Sequence, residues 1–446
     1  MLVSIVLATC ISQCPVEPDI PPITQGGLSG TSVAIDGNLA VIGCPIGTGN
    51  GWASGMVIVY RYTDGQWQRE AELIAEDGEI GDMMGVSVDV SEGRVIAGAW
   101  FNNHAGTNSG AAYIFEEVKG QWSQTAKLVA DDAYTQDSFG RRVAIDGDVC
   151  VVTAPLDDDN GESSGSAYVY QYDGDWFQLQ KLVAKLGSEG DQFGLGLAMD
   201  LERIVIGAPW SDDGKGQAYL FDRGNVMFFE SELFTDPNGE SMDNFAFAID
   251  VENDYVAIGS YLDDDVASDA GSVFVFASGF SGWDLYQHIL PTGNFAADDQ
   301  FGVSVSLNEL NLLIGSRYAI VNGEQAGDVT VYEQGKNLWQ ERSTITSINP
   351  TLNAEFGWAV ALDGDHGLIG GPWLEPDGEA QFYDGFVTSC ECVGDLNGDN
   401  TVGVTDLLQL IGEWGLCENC AEDLDGNGFV DVSDILQLIS YWGDCQ

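Results

Sequence analysis

Short apolar runs, separated by Asp-Gly or similar turns, recur along most of the chain. In DSFGRRVAIDGDVCVVTAP (residues 137–155), Val143–Ile145 and Val149–Val152 flank Asp146-Gly147-Asp148. Two apolar runs joined by such a turn predict a β-hairpin. The Gly that opens the stretch recurs as Gly30, Gly85, Gly140, Gly194, Gly302 and Gly357, with Ala246 standing in once, at spacings of 52 to 56 residues. Phe precedes it in five units (Phe139, Phe193, Phe245, Phe301, Phe356), Met84 in one and Ser29 in the first. Thirteen residues later comes a second small residue: Gly43, Gly98, Thr153, Gly207, Gly259, Gly315 and Gly370. Pro follows two positions on in four units (Pro45, Pro155, Pro209, Pro372).

Each unit continues with an aromatic, 30 residues after the Gly at Tyr60, Phe115, Tyr170, Phe276 and Tyr332, and 27 after it at Phe221. A Trp then stands six residues before Leu or Ile: Trp67/Leu73, Trp122/Leu128, Trp176/Leu182, Trp283/Ile289 and Trp339/Ile345, with Met227/Leu233 in the fourth unit. An even offset places both side chains on one face of a half-exposed outer strand. Each unit thus reads as four strands: two buried, one ending in the aromatic, one carrying the Trp. A lone four-stranded sheet leaves its faces uncovered, so copies must stack, and seven such copies predict a closed seven-bladed β-propeller over residues 19–389. The seventh unit lacks the Trp strand. Either Phe386–Ser389 or a segment near Ile20–Thr24 supplies its outer strand. An acidic residue two before the Phe position (Asp82, Asp137, Asp191, Asp243, Asp299), or one before it in the seventh unit (Glu355), is expected to cap the local turn.

The 446 residues hold 57 glycines, 15 Lys+Arg and 71 Asp+Glu, a net charge of −56. Many turns and few helical patterns agree with an all-β body. A surface this acidic repels phosphate backbones and anionic lipids, which argues against nucleic-acid and membrane-surface roles. Residues 1–18, with the run MLVSIVLATCISQC, are expected to be a leader segment, and no later run is long and apolar enough to span a membrane. Five of nine cysteines (Cys390, Cys392, Cys417, Cys420, Cys445) fall in the last 57 residues, which points to disulfides and an oxidising compartment. Acidic loops at Asp157-Asp158-Asp159, Asp212-Asp213 and Asp263-Asp264-Asp265 are expected to be solvated turns, with Ca²⁺ or a basic partner as the alternative.

Residues 390–446 read as a separate, small all-α module. DLNGDNTVGVTD (395–406) and DLDGNGFVDVSD (423–434) lie 28 residues apart, each with oxygen-bearing side chains at loop positions 1, 3, 5 and 12. Curled loops with alternating oxygens suit Ca²⁺, which takes six or more oxygen ligands. Candidate ligands are Asp395, Asn397, Asp399, Thr401 (by its carbonyl) and Asp406 in the first loop. In the second they are Asp423, Asp425, Asn427, Phe429 (by its carbonyl), Asp431 and Asp434. Amphipathic helices are expected over Leu407–Trp414 and Ile435–Trp442, ended by Gly415 and Gly443.

The repeated Phe-Gly and Gly-x-Pro landmarks resemble the FG-GAP repeat of integrin α-subunit heads and related bacterial propellers. That resemblance implies an extracellular propeller with a binding role. Its usual Ca²⁺ loops do not carry over, because the turn at Asp36-Gly37-Asn38 is too short to wrap a cation. The paired loop–helix units resemble a type I dockerin, which implies two Ca²⁺ sites and attachment to a cohesin-like partner on a polysaccharide-degrading or surface assembly. Its recognition positions hold Val404-Thr405 and Val432-Ser433 rather than Ser/Thr pairs, which leaves another receptor or the chain's own propeller open as the docking partner. The expected protein is a secreted or cell-surface monomer that recognises a protein or an extracellular glycan. A polysaccharide-active enzyme delivered by its dockerin is the alternative. No catalytic residues are assigned: His104, His288 and His366 are far apart, and no Ser/His/Asp order is evident.

Overall fold

The computed structural model describes residues 17–18, 23–24, 27–280, 282–292, 295–335, 338–374, 378–386, 396, 401–412, 414–416, 424, 429–440 and 443–444. The chain divides into a large unit over Glu17–Phe386 and a second one that includes the C-terminal residues.

The large unit consists of seven antiparallel sheets arranged as a propeller. Blades one to six cover 32–73, 88–128, 143–182, 196–234, 245–289 and 301–346, and each runs inner to outer in chain order. Asp-Gly turns join the first two strands, as at Asp36-Gly37 and Asp146-Gly147. The second strands are buried along their whole length, as in Leu39–Cys44 and Val149–Ala154, or in all but their first residue, because neighbouring blades cover both faces.

Blade seven has three strands from its own stretch: Ala359–Asp363, His366–Gly371 and Glu379–Asp384. Its outer edge is completed by Ile23–Thr24, pairing with Ala380 and Glu379, and by Glu17–Pro18, pairing with Asp384 and Tyr383. Of the two segments the sequence left open, the N-terminal one closes the ring. Phe386 instead turns inward: its buried ring packs on Gly367, and its carbonyl accepts a hydrogen bond from Asn311 Nδ2 at 2.8 Å.

The thirteen-residue offset has two physical causes. Within a blade, the motif Gly N–H donates to the carbonyl of the second small residue, as from Gly85 to Gly98 and from Gly140 to Thr153, both at 2.9 Å. Between blades, the motif carbonyl lies against the small residue of the preceding blade. A Cβ on Gly98 would sit 2.0 Å from the Gly140 oxygen, and one on Gly259 2.0 Å from the Gly302 oxygen. Ring closure repeats the contact between Gly370 and Gly30. In all seven pairs at least one member is Gly. Thr153 meets Gly194, and Ala246, held at φ +72°, meets Gly207.

The outer strand corrects one expectation. In blade one the register shifts between Val59 and Tyr60: Tyr60 pairs with Arg69 and Val59 with Ala71, so Glu70 is an extra residue. That bulge cancels the even offset. Trp67 therefore packs with Phe382 of blade seven, whereas Leu73 packs with Val95 of blade two. The same shift occurs in blades two to six, so the outer strand contacts both neighbours. In blade four the paired positions are Phe228 and Phe234 rather than Met227 and Leu233, and Met227 is exposed.

In the C-terminal residues, helices run over Val404–Gly412 and Val432–Ser440, three residues earlier than expected, because the last loop positions already adopt helical backbone. Two short pairs, Thr401–Val402 with Gly443–Asp444 and Gly415–Leu416 with Phe429–Val430, tie the halves together. Val402, Leu410, Val430 and Leu438 form the core.

The glycine contacts predict non-additivity. Gly98→Ala and Gly140→Ala, made singly, should each cost about 1–3 kcal/mol, as overpacked positions do. Made together, they should cost clearly more than the sum, because neither residue can yield. Urea unfolding of the two single variants and the double variant checks this.

Candidate functional site: the axial channel and its two mouths

The inner strands surround a channel of ≈ 420 Å³ on the propeller axis. Aligning the blades on the motif Gly sorts its lining into rings. Four residues on from the Gly, the ring is Ala34, Asp89, Ala144, Ala198, Asp250, Ser306 and Ala361. Six on, the equivalent positions are Asp36, Ser91, Asp146, Asp200, Glu252, Asn308 and Asp363, of which Asp36, Ser91, Asp146, Glu252 and Asp363 line the channel. The inner strand of each blade is a sheet edge, whose N–H groups need partners. Side chains of the preceding blade supply them. Asp89 accepts from Ile145 N–H at 2.7 Å, Ser87 Oγ from Val143 N–H at 3.1 Å, and Asp250 from Leu307 N–H at 2.8 Å.

The channel is charge-polarised. At the hairpin-turn end stand five carboxylates: Asp36, Asp146, Asp200, Glu252 and Asp363. Burial raises the pKa of Asp36, Asp146, Asp200 and Glu252, and repulsion from ring neighbours adds to it for Asp36, Asp146 and Glu252. Midway, burial pushes Asp89 and Asp250 up to about 7, against the pull of their backbone hydrogen bonds.

The opposite mouth, among the loops that join strands two and three and successive blades, is basic and aromatic. Arg141 lies 4.9 Å over Trp100, and Arg142 lies 5.6 Å over Phe247. Arg317 lies 4.8 Å over Trp358 and 5.7 Å over Tyr261. Arg142 Nε donates to the Leu195 carbonyl at 2.9 Å, and Arg317 Nε to Gln300. Glu355 feels the field of Arg317 and accepts from Tyr318 OH at 3.2 Å. Among the described residues, Arg141, Arg142 and Arg317 form no ion pair, and neither do Lys119, Lys185 and Arg223, whereas Arg61, Arg69, Arg94, Lys127, Lys181, Arg203 and Lys215 do. Burial, and for Arg142 the adjacent Arg141 charge, lower the pKa of both guanidiniums.

Around this mouth each loop between blades one and seven carries an exposed apolar side chain: Ile80, Tyr134, Leu186, Met242, Phe295 and Leu352. Trp52, Trp210 and Trp373 stand in the loops joining strands two and three, with Trp52 69% and Tyr134 71% exposed.

Of the expected metal ligands, Asp395, Asn397, Asp399, Asp423, Asp425 and Asn427 lie outside the described residues, as do all five clustered cysteines. Thr401 and Phe429 lie in the short strands, and Asp431 Oδ1 accepts from Ser433 N–H at 2.7 Å. Asp406 and Asp434 are buried in equivalent places. Each accepts two backbone N–H bonds at 2.8 Å, Asp406 from Leu396 and Gly403, Asp434 from Leu424 and Asp431. The capping acids behave as expected at Asp82, Asp137, Asp191, Asp243 and Asp299, each accepting from the N–H three residues earlier. Glu355 bonds Tyr318 OH instead. In the acidic loops Asp158, Asp159, Asp212, Asp213, Asp264 and Asp265 are exposed as expected, whereas Asp157 and Asp263 are buried rather than solvated. Cys44 and Cys150 are buried free thiols with pKa values pushed up by burial, so neither is poised to react.

The mouth cluster was missed at the level of sequence, although a signal exists. The position two after the second small residue is Pro in four blades; in the other three it is Trp100, Tyr261 and Arg317. The exceptions to the repeat form the site.

Asp89 and Asp250 bind protons more tightly in the folded chain than in the unfolded one, where a carboxyl titrates near 4. Their stabilising contribution is thus full below about pH 4 and is lost as pH rises through about 7. Calorimetric melting temperatures should fall over that window, and Asp89→Asn with Asp250→Asn should flatten the decline.

The FG-GAP repeat family model matches residues 67–115, 122–170, 176–221 and 229–276. A comparison with curated proteins yields no match. Each matched repeat begins at the outer strand of one blade and ends in the third strand of the next. This offset explains the ring closure: the outer strand of blade seven must come from the start of the array. The body of the chain is accordingly a seven-bladed β-propeller that carries four recognised FG-GAP repeats.

Proposed function

We propose that this chain is a recognition protein whose propeller binds a protein partner at the loop face, with an acidic side chain of that partner entering the axial mouth. The observation that carries the reading is the group Arg141, Arg142 and Arg317. Arg141 and Arg142 are adjacent, Arg317 lies over Tyr261, whose ring packs 4.8 Å from the Phe247 ring under Arg142, and none of the three has an ion pair, in a chain with 71 acidic and 15 basic residues. A partly desolvated guanidinium without a carboxylate is costly, and an incoming anion offsets that cost. Around them stand both exposed rings (Trp52, Tyr134, Trp210, Phe295, Trp373) and exposed aliphatic side chains (Ile80, Leu186, Met242, Leu352), a mixture that suits a protein surface. An exposed apolar patch with a central charged anchor is the composition of a binding surface.

The test is isothermal calorimetry with an acidic peptide, polyglutamate, as probe. Binding should weaken about tenfold or more in Arg141→Ala/Arg317→Ala, and should fall with rising salt. Equal binding by the variant, or binding of an acidic polysaccharide but not the peptide, would overturn the reading.

The C-terminal unit is the attachment module in this proposal: two loops, each holding one Ca²⁺, that tether the propeller outside the cell. The equivalent burial of Asp406 and Asp434 at the twelfth loop position supports it. Metal binding and folding are linked in modules this small. Chelation should abolish the helical circular dichroism of 404–412 and 432–440 and leave the β signal intact; an unchanged helical signal counts against Ca²⁺.

A further inference from the structure

The repeat exposes a second kind of site when equivalent positions are compared. At the penultimate residue of the outer-strand core, blade three has Lys181. Its Nζ lies 2.7 Å from Asp132, 3.1 Å from Asp157 and 2.7 Å from Asp159, and 5.0 Å over the Tyr168 ring. Ser166 Oγ donates to Asp157 at 3.0 Å, and Tyr168 OH donates to Asp132 and Asp157, both at 2.9 Å. Blade two repeats the arrangement: Lys127 Nζ lies 2.6 Å from Asp77 and 3.4 Å from Asn102 Oδ1, over Tyr113. Both blades thus have a slot where carboxylate or amide oxygens surround an internal cation.

Blade five keeps the oxygens and loses the ammonium. Asp263 and Asp265 occupy the places of Asp157 and Asp159, and Ser272 Oγ donates to Asp263 Oδ2 at 2.7 Å. Asp236, from the preceding interblade loop, is raised in pKa by burial and by the charges of Asp263 and Asp265. The Tyr becomes Phe274, so a hydroxyl donor is lost as well. The Lys becomes His288, whose ring lies flat on Phe274 with centroids 4.0 Å apart and planes 12° from parallel. Its Nε2 stops 3.9 Å from Asp263 Oδ2, and its Nδ1 4.0 Å from Asp265 Oδ2, both beyond hydrogen-bond reach. Nε2 is a buried atom with no hydrogen-bond partner. Stacking on Phe274 accounts for the ring's position but leaves this nitrogen without a hydrogen-bond partner, facing carboxylates that it does not reach.

We propose that blade five binds a divalent transition-metal ion, of the class of Zn²⁺, through Asp263, Asp265 and His288 Nε2. The ligand atoms of the three residues lie within 4.8 Å of one another. A metal about 2.1 Å from each needs separations of about 4 Å or less, so small side-chain rotations close the site. One imidazole nitrogen among two carboxylates favours a borderline ion over Ca²⁺, which takes six or more oxygens. Ser272, bonded to Asp263, orients that ligand as outer-shell donors do. The ion restores the charge that Lys181 supplies in blade three.

The experiment is Zn²⁺ titration of the full chain by calorimetry in excess Ca²⁺, with Co²⁺ absorption in the visible as a second readout of nitrogen coordination. One saturable Zn²⁺ site is expected. His288→Lys rebuilds the blade-three arrangement, so this variant should stay folded and lose at least about tenfold in Zn²⁺ affinity along with the Co²⁺ band. His288→Gln should lose the same binding, and it serves if the Lys variant fails to fold. Equal Zn²⁺ affinity in wild type and both variants, or no saturable binding in excess Ca²⁺, would overturn the proposal.

Discussion

Blade-to-blade spacing in this propeller is set by backbone touching backbone. Where the Gly140 carbonyl lies against Gly98, there is no room for a single methyl group. The side chains that fill the interface, such as Trp67 against Phe382, adapt to that spacing rather than set it. Seven such contacts close on themselves only when each has at least one glycine, and the chain meets that condition even where Thr153 and Ala246 intrude. Everything on the axis follows. Because the contact is this tight, the inner strands crowd a narrow channel, and their edges are reached by side chains from the neighbouring blade rather than by another strand.

That geometry explains why acidic groups line the channel wall. An inner-strand N–H facing the lumen needs an acceptor, and a carboxylate or hydroxyl from the preceding blade is placed to provide it, as Asp89 does for Ile145 and Ser87 for Val143. Burial raises the pKa of Asp89 and Asp250 against the pull of these bonds, so the carboxylates that satisfy the strand edge also make the wall sensitive to pH. Carboxylates at the hairpin end and guanidiniums at the loop end give the axis a direction. An anion is attracted at the loop face and repelled at the hairpin face.

Blade number, the order of the strands and the inner hairpins were legible in the sequence because they depend on small residues at fixed offsets, which spacing alone reveals. The faces of Trp67 and Leu73 were not. A bulge at Glu70 adds one residue to the outer strand, and no residue type marks it. For the outer strand of blade seven the sequence offered two segments without choosing, since Ile23–Thr24 pairs with Ala380 and Glu379 across nearly the whole array and carries no motif. A second repeated glycine went unread. Gly55, Gly110 and Gly271 precede the third strands with φ near +85°, and a Cβ on any of them would collide with the Phe or Met of the next blade's motif. Its signal was present, twelve residues after the second small residue in five blades, and only blades four and seven have shorter loops.

The departures from the repeat carry the chemistry, and there is a physical reason. Positions that hold the ring together must be nearly the same in every blade, so they cannot also encode a unique site. A unique site needs a position that the scaffold leaves free. Two places after the second small residue, Pro merely ends a strand, so Trp100, Tyr261 and Arg317 can replace it without disturbing the glycine contact below. Their replacement gathers rings and charge at one mouth of the axis. The slot beside the outer strand follows the same logic: its oxygens hold Lys181 in one blade and face His288 in another, while the surrounding strands keep their register. Sevenfold repetition supplies rigidity, and the exceptions, held on that frame, supply the chemistry.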